Sequence, residues 1–259
     1  ALEARIYAED PDRDFLPATG LLSHLRFAQD NRHVRVDTGV RQGDTVSMHY
    51  DPMIAKVIVW DHDRKSCLRR MLSVLDETQV VGVTTNIDFL SSVVSHPAFQ
   101  AAELDTGFIE RHHEQLFLDN EEINDNILAL ATLFILLTRS QLALDKADSS
   151  LDPYSPWNST NAWQSNLDSS EEIYLAEDDK EYQIIAHYKK HTVCLQIDDK
   201  QINVNGSLDK NGDLSADLDG TRTHVTVVMR DDMLTIIHSG NSYELKIINK
   251  TDHHADEDA

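Results

Sequence analysis

Positive charge is scarce in this chain. Against 45 Asp and Glu stand only 23 Lys and Arg, a formal net charge of -22. The deficit is uneven: residues 1–115 carry 12 basic and 18 acidic side chains, residues 116–259 carry 11 and 27. A field of that sign repels phosphate backbones and anionic membranes, so no nucleic acid and no membrane partner is expected for either half. Cysteine is scarcer still. Cys67 and Cys194 lie far apart without metal-type spacing, which fits a reducing compartment and two small buried side chains. No P-loop, G-x-S-x-G or paired-acid motif occurs. There is no initiator Met and no signal-like start, and the opening falls in mid-strand, so an internal fragment of a longer protein is expected. The longest apolar run, 127–137, is interrupted only by Thr132 and is short of the about 20 residues that span a bilayer.

Enough remains to bury a core. Hydrophobic residues make up 41% of the chain and aromatic ones 7%, at a length that suits one large domain or two ordinary ones. Residues 1–60 read as short strands, LEARIYA, LLSHLRF, HVRVD, TVSMHY and IAKVIVW, punctuated by Pro and Gly. In the first, Leu2, Ala4, Ile6 and Ala8 alternate with Glu3, Arg5, Tyr7 and Glu9, giving one apolar and one charged face. The period then changes. Leu68, Met71, Leu72 and Leu75 recur at helical spacing after Asp63, a good N-cap, and Ile87, Leu90 and Val94 share a face of a second helix after Thr85. Strands backed by helices predict an α+β domain ending near residue 115.

From Ile127 to Leu137 the apolar character runs right round a helix, and a helix with no polar side must be enclosed by protein. The material to enclose it follows. After residue 172 come about eight strand-like runs, among them YQIIAHY, HTVCLQI, THVTVVM and SYELKII. Asn205-Gly206, Asn211-Gly212, Asp219-Gly220 and Gly240-Asn241 between them read as tight turns. The expected architecture is an antiparallel β-barrel surrounding the long apolar helix. Residues 149–172 between helix and strands are polar and turn-rich yet carry Tyr154, Trp157 and Trp163; loops of that length are disordered or functional. The acidic tail 251–259 is expected to lack structure. DLDG and DKNGD lack the sixth-position Gly and closing Glu of a calcium loop and read as hairpin turns. The adjacent pairs His112-His113 and His253-His254 diverge on a helix, so no metal site is expected.

Three stretches in order, LEARIYAEDP, TGVRQGDTVSMHYDPMIAKVIVW, and VGVTTNIDFL with HPAF, resemble the C-terminal subdomain of biotin carboxylase over residues 1–115. The second stretch most resembles the α subunits of 3-methylcrotonyl-CoA carboxylases, with propionyl-CoA carboxylases the near alternative. Residues 116–250 are similar to the helix-in-barrel domain that docks the partner subunit in these enzymes. The resemblance implies an ATP-dependent ligase that carboxylates biotin with bicarbonate. It implies biotin, ATP and Mg²⁺ or Mn²⁺ as cofactors of the intact enzyme, none of them bound to this piece. The implied partners are a carboxyltransferase β subunit and a biotin carboxyl carrier domain of the same chain, in a hetero-oligomer. The implied location is the mitochondrial matrix, or the cytoplasm of a bacterium. A purely structural assembly module is the rival from another class. The family's ATP-grasp region would precede residue 1 and its biotinylated lysine would follow residue 259, so the isolated piece is expected to be inactive.

In the family, the Arg of the first strand points into the active site, beside the ureido oxygen of biotin on which negative charge develops. That position is Arg5, and a guanidinium suits the task because it does not deprotonate. The alternative for an Arg on such a strand is a solvated side chain paired with a neighbouring Glu. Asp51, in HYDPMIAK, is implied to orient active-site cations, or else forms the turn before Pro52. Thr106, in LDTGFIE, falls where the family's chain passes near the adenine pocket, and Arg35 matches a position that joins subunits in bacterial relatives. Tyr154, Trp157 and Trp163 are expected to dock the β subunit, because Trp and Tyr are enriched at interface hot spots, or else to cover an open end of the barrel.

Overall fold

Alternation in LEARIY buries Ala4 and Ile6 and leaves Glu3 and Arg5 exposed, and the strand it forms lies at the edge of a three-stranded sheet. The computed structural model describes residues 1–49, 51–117, 122–148, 169–189 and 192–250. The chain divides into two compact units, residues 1–121 with 239–241, and residues 122–238 with 242–259.

In the first unit, the strands β1 (Leu2–Tyr7), β2 (Glu9–Asp10), β3 (Leu16–Pro17) and β4 (Gly20–Leu21) are followed by β5 (His24–Arg26), β6 (Val34–Thr38), β7 (Thr45–Val46) and β8 (Met53–Val59). Then come α1 (Arg64–Glu77), β9 (Gln79–Val81), α2 (Ile87–Ser95) and three short helices, α3 (Pro97–Gln100), α4 (Phe108–Arg111) and α5 (His113–Leu116). The main sheet is antiparallel in the order β1-β8-β6, while β2 pairs β3, β4 pairs β7 and β5 pairs β9. LLSHLRF, read as one strand, is two. The Leu22 N–H turns to the Asp44 carbonyl and the Ser23 N–H to that of Val81, so the chain changes partners between β4 and β5.

Asp63 caps α1 as its position predicts, its Oδ1 accepting from the Ser66 N–H at 2.8 Å. The apolar stripe of α1 (Cys67, Leu68, Met71, Val74, Leu75) joins Ile87 and Val94 of α2 in one core with Ala4, Ile6, Val57 and Val59 of the sheet. Each large side chain fully buried there contributes about 1.5–3 kcal/mol. The helices therefore cover one face of the sheet and leave the other to solvent.

The second unit begins with α6 (Asp125–Asp148), whose N-terminus is capped by Asn124: its Oδ1 accepts from the N–H groups of Asn126 and Ile127. Eight antiparallel strands close a barrel in sequence order: β10 (Ser170–Glu177), β11 (Lys180–Tyr188), β12 (Val193–Ile197), β13 (Lys200–Leu208), β14 (Asp213–Leu218), β15 (Thr221–Arg230), β16 (Met233–His238) and β17 (Asn241–Ile248). Every second residue faces in, as in Ile173 and Leu175, Ile184 and Ala186, or Leu234 and Ile236. They share one core with Ile127, Leu128, Leu130, Leu133, Phe134 and Ile135 of α6, so the barrel surrounds the apolar helix as its all-round hydrophobicity predicts. By length and composition Asp125–Ala143 would also suffice to cross a membrane, a longer stretch than the bare apolar run; here its middle lies in the barrel core. Thr132, the polar exception in the run, is fully buried and returns its hydroxyl to the Leu128 carbonyl at 2.8 Å. Ion pairs fix both ends of the buried stretch: Asp125 meets Lys200 of β13, and Arg139 meets Glu171 of β10, which also accepts from the Tyr188 hydroxyl at 2.8 Å.

Asp219-Gly220 forms a hairpin turn as expected, both residues at positive φ (50° and 89°). Asn205-Gly206 does not. It lies inside β13, and Gly206 is an inward position where a Cβ would stand 2.6 Å from the Ser215 carbonyl oxygen and 3.1 Å from Leu133 Cδ2. The glycine is needed for the close approach of helix and neighbouring strand rather than for a turn.

Candidate functional site

The uncovered face of the β1-β8-β6 sheet carries the charge. Register sets Arg5 opposite Lys56 and Lys56 opposite Asp37, one row across three strands; Glu3, Ile58 and Arg35 form the next. Arg5 Nε donates to Glu3 Oε1 at 3.3 Å, and 59% of the Arg5 side chain is exposed. The Tyr7 phenol, and after it Glu3, raise the Arg5 pKa further. Asp37 accepts from Arg35 Nε at 2.8 Å and lies 3.6 Å from Lys56 Nζ. The Arg35 bond holds the Asp37 carboxyl below the usual carboxylate range, with a smaller contribution from Lys56. Arg5 and Lys56 thus stand side by side as two cations in an acidic protein. The exposed pairing of Arg5 with Glu3 is weak and screened by solvent, so it leaves the guanidinium available to an incoming anion.

The other side of β1 is held by Asn86, a residue only 7% exposed. Its Oδ1 accepts from the Tyr7 N–H at 2.9 Å, its Nδ2 donates to the Arg5 carbonyl at 3.1 Å, and its own N–H donates to the Tyr7 carbonyl at 3.2 Å. The three bonds occupy the strand edge that β8 leaves open. The β1–β8 pairing is irregular between Ile6 and Tyr7, where Ile6 faces Ala55 but Tyr7 faces Met53.

The other residues singled out from the sequence are dispersed. Asp51 is exposed two residues before β8, its Oδ1 accepting from the Met53 N–H at 3.0 Å in the turn through Pro52. The Ala8 N–H donates to the Pro52 carbonyl at 2.9 Å, which brings this turn to the junction of β1 and β2, and burial, then the charge of Asp51, push the Glu9 carboxyl of β2 up. Thr106 is exposed on the loop before α4; in that loop Asp105 Oδ1 accepts from the Gly107 N–H and from Arg111. Arg35 lies on the same sheet face as Arg5. Tyr154, Trp157 and Trp163 lie outside the described residues. The His112 ring packs against His96 and that of His113 stacks on Phe117, with centroids 4.2 and 4.4 Å apart. Among the described residues no three His, Cys, Asp or Glu side chains are grouped to hold a metal ion. Two members of the site escaped the sequence reading. Lys56 closes the HYDPMIAK run at the strand position that shares a face with Arg5, a placement that only the register reveals. Asn86 follows Thr85 directly before the second helix and reads as a helix cap.

Residues 3–111 match the family described as biotin carboxylase C-terminal domain. The chain is 37% identical over 260 residues to the mitochondrial methylcrotonoyl-CoA carboxylase subunit alpha of Dictyostelium discoideum, covering 95% of this chain and 37% of that protein. The subunit alpha of Mus musculus is 33% identical over 251 residues, 95% of this chain and 35% of that protein. The mitochondrial propionyl-CoA carboxylase alpha chain of Rattus norvegicus is 27% identical over 257 residues, 96% of this chain and 34% of that protein. The chain thus spans about a third of the length of each of these three relatives. Residues 3–111 are a biotin carboxylase C-terminal domain, and the chain that runs on from them through the barrel is a homologue of methylcrotonoyl-CoA carboxylase α subunits.

Proposed function

We propose that this chain is the part of a methylcrotonoyl-CoA carboxylase α subunit that completes the biotin carboxylase and docks the carboxyltransferase β subunit. The observation that carries the reading is the reach of the similarity. At 37% identity to an α subunit of that enzyme it covers 95% of the chain, barrel as well as carboxylase domain, and the propionyl-CoA relative falls to 27%. The intact enzyme would use ATP with Mg²⁺ and bicarbonate in the mitochondrion, which its relatives' names print, and we read the compartment as the matrix.

The residues of the sheet face fit the cofactor. Biotin, when bound, supplies the ureido nitrogen that accepts the carboxyl group. Arg5 offers an exposed, permanent charge for the ureido oxygen, and Lys56 adds a second positive charge beside it. Asp37 takes up Lys56 and Arg35, and among the described residues the ion-pair partner of Arg5 on this face is Glu3. Asp51 is read here as support for this cationic face, and Thr106 as a neighbour of the adenine. The barrel, with Tyr154, Trp157 and Trp163 in the segment before it, is read as the docking unit.

The test is acyl-CoA preference in the assembled enzyme. The full-length subunit, co-expressed with its β subunit, should carboxylate 3-methylcrotonyl-CoA in an ATP- and bicarbonate-dependent assay and use propionyl-CoA poorly. A preference for propionyl-CoA would assign the chain to the other carboxylase, and no bicarbonate-dependent ATP cleavage at all would leave only an assembly module.

A further inference from the structure

We infer that Asn86 is a positioning residue for Arg5: it fixes the stretch of backbone from which the guanidinium projects. The inference rests on the proposed role of Arg5 beside the ureido oxygen. Arg5 and Tyr7 send their side chains to the charged face, and Asn86 grips the main chain of both, the Arg5 carbonyl through Nδ2 and the Tyr7 N–H and carbonyl through Oδ1 and its own N–H. The grip falls where the partner strand gives least support. Between Ile6 and Tyr7 the register with β8 shifts, and a strand at such an irregularity gains local twist that re-aims its side chains. Asn86 removes that freedom from the opposite edge.

A second observation concerns what the side chain does not do. Asn86 is the N-cap residue of α2, and its carbonyl accepts from the Leu90 N–H, yet its side chain makes no capping bond. Asn at an N-cap ordinarily accepts from the second or third N–H of its helix. Here the amide is buried and turned to β1 instead. Asp or Ser would start the helix as well, but an ionised Asp has no donor for the Arg5 carbonyl and a Ser hydroxyl would have to serve both groups through one oxygen, whereas the amide gives each its own atom.

The decisive variant is Asn86→Asp in the full-length subunit. Its carboxylate still accepts from Tyr7 and still suits a helix N-cap, but it sets a negative oxygen against the Arg5 carbonyl. The kcat for biotin carboxylation should fall by about 10²-fold, the scale of a misplaced catalytic group, while the KM for ATP holds. The fall should vanish when Arg5 is already gone, so that Arg5→Ala/Asn86→Asp is no slower than Arg5→Ala. Asn86→Ser, neutral and also a good cap, is measured alongside and should show the same dependence on Arg5, so the test stands even if the Asp variant folds poorly. Normal kcat in both Asn86 variants, with Arg5→Ala inactive, overturns the inference and leaves the role of Arg5 standing. Losses that multiply in the double variants overturn it too, as the mark of a general structural defect. Normal turnover by Arg5→Ala removes the role of Arg5 and this inference with it.

Discussion

A guanidinium keeps its charge at any pH at which this protein folds, and at Arg5 the groups that compete for it among the described residues are the Tyr7 phenol and the exposed carboxylate of Glu3. In the full-length subunit Arg5→Ala is expected to slow biotin carboxylation by roughly 10²–10³-fold with little change in the KM for ATP. Arg5→Lys should also fail, because a point charge on another stem does not reproduce the guanidinium fork. Steady-state kinetics decide: near-normal turnover by the Ala variant would make Arg5 an ordinary solvated strand residue. At Gly206 the constraint is space. Gly206→Val forces a Cβ against the Ser215 carbonyl and Leu133, and urea unfolding should show a loss of about 1–3 kcal/mol. The two positions also show what can be read in a sequence. Arg5 stands in a period-2 pattern, which local chemistry alone produces, so its exposed face was legible. Asn-Gly is the same dipeptide in a hairpin turn and in a strand that must admit a helix, and only the tertiary contact tells them apart. Asn86 hides likewise, because its partners are some 80 positions away in sequence.

Among the elements, α6 depends most on its surroundings. Leu133 and Ile135 are both 3% exposed in the barrel core. Leu133→Asp or Ile135→Asp would bury a charge without a partner, at a cost on the order of 3–5 kcal/mol. Calorimetry should show the barrel transition lost while residues 1–117 still melt; an unchanged barrel transition would mean that the helix is not enclosed. The helix was legible because a segment apolar on every side has one physical outcome in a folded protein. α1 depends instead on a charge at its edge. Arg70 donates through Nε and Nη2 to Asp61 Oδ2, at 3.0 and 2.6 Å, tying the helix to the end of β8. The Arg70 bond, with help from the His62 N–H, holds the Asp61 carboxyl below the usual range. A carboxyl lowered in the folded state stabilises the fold above its unfolded pKa, and the contribution is lost as pH falls through the folded value. Wild type should therefore be more stable than Asp61→Asn at neutral pH, and urea midpoints should converge as the solution is acidified below the ordinary carboxylate range. A gap that stays constant with pH would show that the charge is not responsible.

For the molecule as a whole, the proposed division of labour sets catalysis in the first unit and assembly in the second. Trp157→Ala and Trp163→Ala, made separately, should each weaken association with the β subunit, measured by co-purification, and leave the melting temperature unchanged. A lowered melting temperature with intact assembly would make that Trp a structural plug. The two-part organisation was legible because the period of the apolar residues changes from 2 to 3.6 and back. The strand pairing within the first unit was not, since β4, β5, β7 and β9 are two or three residues long and their partners come from distant segments.

The barrel closes by pairing its first strand with its last, Tyr174 with Ile248 and Ala176 with Lys246. On the ribosome this order has a cost. The helix emerges before any strand that will cover it, and seven strands must follow before the eighth can seal the wall. Until then the nascent chain presents a bare apolar rod and two unpaired sheet edges, the features that chaperones bind and that drive aggregation. A premature stop codon anywhere before Asn241 would leave that state permanent, so nonsense alleles that remove the last strand should yield a product cleared by proteolysis, although residues 3–111 have all been made.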